Sequence, residues 1–159
     1  MKQFITNLVL LFGGAGVGLV LALIAAPSSA GAALVGFAIL PLSFFAGLAA
    51  WWGIALLNLG WHLMMKKAIT RKTASPSDSI LKSTTLPGSF MFIPASVIVC
   101  LMGGGIVSLI SWSSWGLIAL CGYPTLGLIY GAVAWIGARR GYIAIDYWLH
   151  IALDEWAGE

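Results

Sequence analysis

Four membrane-spanning helices, built as two copies of one helical hairpin and followed by a cytoplasmic amphipathic helix, are the fold this sequence predicts. Three observations predict it: long uncharged apolar runs, the placement of the basic residues, and a glycine-centred stretch that occurs twice. The 159 residues are 60% apolar and only 8% charged, with 20 glycines and 8 tryptophans. A soluble domain usually carries about a quarter charged residues, so this chain cannot cover itself with polar surface in water. A helix needs about 20 apolar residues to cross the hydrocarbon. Four runs qualify, 4–26, 33–57, 88–111 and 115–138, and none holds an Asp, Glu, Lys, Arg or His. A transmembrane β-barrel would instead alternate apolar and polar residues in short segments. These runs are continuous, so helices are expected, and 1–159 reads as a single transmembrane domain.

Span one follows Lys2. With Ala30-Gly31-Ala32 it resembles a secretory signal, yet its apolar run exceeds the 7–15 residues of a cleavable core. It is therefore expected as a retained span. All eight basic residues (Lys2, Lys66, Lys67, Arg71, Lys72, Lys82, Arg139 and Arg140) lie before span one, between spans two and three, or after span four. The connections 27–32 and 112–114 carry no charge. By the positive-inside rule both termini and the 58–87 loop face the cytoplasm, in a bacterial inner membrane. Trp112 and Trp115 would then anchor the outer interface, and Trp61, Trp135 and Tyr142 the inner one. The net charge of +3 reports topology rather than a nucleic-acid partner.

The repeat links the spans in pairs. LFGGAGVGLV (11–20) and LMGGGIVSLI (101–110) align without gaps, with Leu11/Leu101, Gly13/Gly103, Gly14/Gly104, Val17/Val107 and Leu19/Leu109 identical. GLAAWWG (47–53) and GAVAWIG (131–137) share Gly, Ala, Trp and Gly in register, each a few residues after a proline, Pro41 or Pro124. Such copies form a parallel repeat about an axis along the membrane normal. Helices in lipid associate by close packing, which small residues permit. Gly14-xxx-Gly18, Gly104-xxx-Ser108 and Gly127-xxx-Gly131 are therefore the expected packing stripes, together with Gly13 and Gly103. Spans one and three are expected to meet across them. GGAGVG is not a nucleotide-binding loop, because that motif must follow a strand and open a helix. The two prolines should bend spans two and four near their outer ends.

Outside the spans, helical character continues from Asn58 to about Lys67, which makes some 50 Å of helix from Ala33 at 1.5 Å per residue. A Ser/Thr/Pro-rich connection follows. In the tail, Ile145, Trp148, Leu149, Leu153 and Trp156 repeat at helical spacing, which predicts an amphipathic helix over 142–157. Its polar side is acidic, whereas helices that lie on membranes carry Lys and Arg there. It suits docking to a protein partner or to the basic loop of its own chain.

The chain offers little for catalysis. Asp146, His150 and Asp154 share one tail face at i,i+4 spacing, yet a metal there would need further ligands, and His62 is the other histidine. A solvated polar face is the simpler reading. His62 with Met64 and Met65 offers soft copper-type ligands, but Met at a helix end more simply packs. Cys100 and Cys121 have no metal or redox spacing and read as small apolar residues. No metal, haem or other cofactor is expected, and no enzymatic activity. No acidic or basic group marks an ion path within the spans. A passive pore would have to use Ser43, Ser96, Ser108, Tyr123, Thr125 and Tyr130. The expected role is a non-enzymatic packing or scaffold subunit of a larger membrane complex, such as a secretion or transport machine. Its partners would be the bilayer and other subunits, or further copies of itself. Alternatives are a small channel or facilitator, for which Ser43 and Thr125 should share a polar path, and a membrane immunity protein against a toxin.

Overall fold

The computed structural model describes residues 2–69, 88–111 and 115–143. Among these, all regular structure is helical: α1 (Lys2–Ala25), α2 (Ala30–Ile69), a 3-10 turn (Ser89–Met91), α3 (Phe92–Ser111) and α4 (Gly116–Arg139). Four helices are long and apolar enough to span a membrane, through Gln3–Ala25, Ala30–Leu57, Ser89–Ser111 and Gly116–Arg139. Only 28–39% of the residues in each apolar window are buried within the protein. Phe12, Leu34, Leu57 and Leu109 all point outward, each at least 70% exposed. Soluble monomers rarely expose contiguous apolar patches larger than a few hundred Å², so faces of this kind call for lipid.

The element ends follow from local chemistry. Pro27 disfavours helix for the residue before it, and α1 stops at Ala25. Ser29 then caps α2: its Oγ accepts the Ala32 backbone N–H at 3.2 Å, the third N–H after the cap. That cap starts α2 at Ala30, three residues ahead of the apolar run that begins at Ala33. At the far end of α4, Gly141 adopts φ +71°, a left-handed conformation costly for other residues. Tyr142 N–H donates to Gly137 O at 2.9 Å and Gly141 N–H to Ala138 O at 3.1 Å, the paired bonds of a Schellman cap. Pro41 and Pro124 lie inside α2 and α4, which continue through them.

The helices pack in chain order, α1 on α2, α2 on α3 and α3 on α4, and α4 returns to α1. The connection from α1 to α2 spans only 26–29. Phe92 lies against Trp51 and Phe44, with ring centroids 5.7 and 5.8 Å apart, while Gly103, farther along α3, faces Ile39. Residue numbers therefore rise on α3 as they fall on α2, and neighbours are antiparallel. At one end of the bundle, Gln3 Nε2 donates to Gly141 O at 2.9 Å, tying the start of α1 to the end of α4. Arg139 lies there too, 5.4 Å above the Trp135 ring.

One expectation is overturned. Spans one and three do not meet across their glycines: α1 and α3 lie diagonally and barely touch. A β-carbon on Gly14 would meet Tyr130 of α4 and Leu40 of α2. One on Gly104 would meet Ala119 O and Tyr123 of α4. Glycine faces make close approach possible, but shape complementarity chooses the partner. The tail residues Ile145, Asp146, Trp148, Leu149, His150, Leu153, Asp154 and Trp156, the connection over 70–87 and Trp112 lie outside the described residues, as do the side chains of Asn58, His62, Met64 and Met65.

Candidate functional site: the interior seam and the groove between α1 and α4

Tyr123 is the point where the bundle closes. It is fully buried, and its hydroxyl donates to Gly18 O at 2.8 Å. Gly36 of α2 lies opposite: a β-carbon there would collide with Ala22 and come within 2.6 Å of Gly18 O and 2.7 Å of Tyr123 Oη. From α3, a β-carbon on Gly104 would stand 3.1 Å from Tyr123 Cβ. One tyrosine thus touches all four helices, through two glycines and a main-chain carbonyl. Two turns along α4, Tyr130 donates to Leu10 O at 2.9 Å. The two bonds, to Gly18 and Leu10, run in opposite order along the two helices and hold α4 antiparallel to α1. Each hydrogen bond of this kind within a membrane contributes about 0.6 kcal/mol, up to about 1.7.

The packing glycines expected from sequence divide into used and unused. Gly18 lies against the Gly36 carbonyl, Gly103 against Ile39, Gly127 against Ser96 and Cys100, and Gly131 against the Phe92 and Ile93 backbone. Ser108 is half-buried and faces Gly116 at the start of α4. Gly13 faces outward, with no atom of the described residues within 4 Å of where its β-carbon would be. Gly36 escaped sequence reading, and Gly47 was read only as part of the repeat, although the Phe92 ring fills the space that a Gly47 side chain would need. Gly36 belongs to no paired motif, so only its partner reveals it.

The hydroxyl groups of the spans bond mainly to backbone carbonyls. Ser43 is buried, and its Oγ donates to Leu40 O of its own helix at 2.7 Å. Thr125 is exposed on the outer face of α4 and donates to Cys121 O at 2.9 Å. Each hydroxyl lies just after a proline and bonds back to its own helix, as membrane helices commonly arrange around such breaks. Ser96 is buried with no partner for Oγ among the described residues. The two tyrosines are spent on α1 carbonyls. Ser43 and Thr125 therefore lie on different surfaces of the bundle, one inside and one outside.

Cys100 is buried and Cys121 exposed. In detergent, a maleimide is expected to label Cys121 first and Cys100 only on unfolding; equal rates in the folded protein would contradict this interior. Among the described residues, no three His, Cys, Asp or Glu side chains gather as a metal set.

Beside the tyrosine seam, α1 and α4 part on the outer face to leave an apolar groove of about 300 Å³. Val9, Gly13 and Val17 form one wall and Ile129 and Val133 the other, with Tyr130 at its floor. Compared with protein-family models, characterised proteins and solved structures, the chain matches none.

Proposed function

We propose that this chain is a non-enzymatic packing subunit of a larger inner-membrane assembly, with both termini and the 58–87 segment on the cytoplasmic side. One observation carries the reading. α2 is 40 residues long, about 60 Å at 1.5 Å per residue, whereas its membrane-spanning portion ends at Leu57. The helix continues to Ile69, about 18 Å beyond that point, and Trp61 on this extension is 62% exposed. A lone four-helix bundle has no packing need for such a rod. A subunit that docks to another chain does, and the acidic 142–157 helix is the second docking element we assign to it.

We also read the bundle as a duplicated hairpin. By the offsets of the repeat, Gly14 corresponds to Gly104 and Leu40 to Pro124. Gly14 faces Leu40, and Gly104 faces Tyr123, one residue from the equivalent position. The glycines of the second and fourth spans, Gly47 and Gly131, both lie against Phe92. This support is local, since one of those contacts is made across hairpins and the other within one.

Extraction with native lipids should yield the chain in a particle larger than itself, with one reproducible partner. A photo-crosslinking residue in place of Trp61 should capture that same partner, and deletion of 142–159 should release it. Recovery only as a monomer, with no crosslink from position 61, would overturn the reading.

A further inference from the structure

We propose that the α1/α4 groove holds one acyl chain of an anionic glycerophospholipid whose phosphate is bound at Arg140. The inference stands apart from the subunit reading and rests on the size of the groove and on what lies at its mouth.

An acyl chain would fill the groove, whereas a partner helix would seat only a ridge of its side chains there. From Val9 to Val17 the groove runs about 12 Å, and a helix about 10 Å across would fill about 900 Å³ over that length. The groove offers about 300 Å³. A polymethylene chain about 4 Å across, the contact distance between carbons, fills about 150–200 Å³ over the same length. Gly13 supplies the depth, because nothing occupies the space in front of it.

Register supplies the charge. Leu126, Val133 and Arg140 follow one another at seven-residue intervals, two helical turns each, and so share a face of α4. Leu126 and Val133 line the groove, and Arg140 lies about 10 Å beyond Val133 on that face, exposed. The α4 wall therefore leads to a cation at the end of the bundle where Gln3 and Gly141 pin the helices together. Arg139 is engaged over Trp135, which leaves Arg140 to meet a phosphate. Guanidinium binds phosphate through charge-assisted hydrogen bonds.

Native mass spectrometry of the full chain, titrated with phosphatidylglycerol and with phosphatidylcholine of identical acyl chains, tests this. The wild type should retain one phosphatidylglycerol in preference to phosphatidylcholine, whose phosphate is the same but whose trimethylammonium group a guanidinium repels. Gly13→Leu, which fills open space, should abolish retention of both lipids. Arg140→Gln should remove the preference and leave the weaker retention common to both. Folding of each variant is checked by the order in which Cys121 and Cys100 are labelled. Equal retention of the two lipids by the wild type would overturn the proposal. So would an adduct undiminished by Gly13→Leu in a folded variant, or a protein chain captured by a crosslinker at Gly13.

Discussion

Gly36→Leu is expected to prevent the bundle from assembling. The first carbon of any side chain there meets Ala22, the Gly18 carbonyl oxygen and the Tyr123 hydroxyl at once. A flexible side chain could swing aside, but a carbonyl moves only with its helix. Relief therefore requires α1 and α2 to separate, which also withdraws the acceptor from Tyr123. Overpacking a tight core by a few atoms typically costs about 1–3 kcal/mol. Gly36→Ala should fall at the upper end of that range, and leucine should exceed it. The readout is the denaturant concentration at which Cys100 becomes reactive. Gly13→Ala is the control. It belongs to the same class of glycine by sequence, yet a methyl group there meets nothing. Its helix propensity should leave stability unchanged or raise it by up to about 1 kcal/mol. If the two alanine variants behave alike, the distinction between inward and outward glycines fails.

Tyr123→Ala is expected to have the second largest effect. Truncating a large buried aromatic costs about 3–5 kcal/mol through lost contacts and the cavity left behind. Here that cavity opens at the one level where all four helices converge. Tyr123→Phe keeps the ring and removes only the bond to Gly18 O, so it should cost no more than about 1.7 kcal/mol. Both are measured as shifts in the detergent unfolding midpoint, followed by tryptophan fluorescence. A phenylalanine variant as damaged as the alanine one would mean that the hydroxyl, not the packing, holds α4 to α1.

The spans were legible because crossing lipid is a requirement on each segment alone. Continuous apolar runs meet it, and Gly88–Ser111 agrees with the structure to within a residue. The start of α2 was displaced because Ser29 ends the apolar run yet begins the helix by capping it. Helix pairing was the least legible feature. Gly14-xxx-Gly18 says that a face is bare, but nothing in those residues tells Leu40 and Tyr130 apart from Gly104 as neighbours. Tyr123 and Tyr130 were read as possible pore lining, although a signal was present. They lie seven residues apart on one face of a span, and a phenol reaches past its own helix where Ser and Thr bond back to theirs. The groove left no trace in the sequence, because it results from the way two helices diverge.

The order of the helices defines the bundle, with α4 returning to α1 and α3 kept away from α1. Pairwise crosslinking in native membranes, on a background lacking Cys100 and Cys121, measures that order. A short bifunctional thiol reagent should join Val9→Cys to Val133→Cys across the groove, and it should leave Phe12→Cys and Met102→Cys unjoined. The reverse result, α1 linked to α3 and not to α4, would contradict the bundle described here.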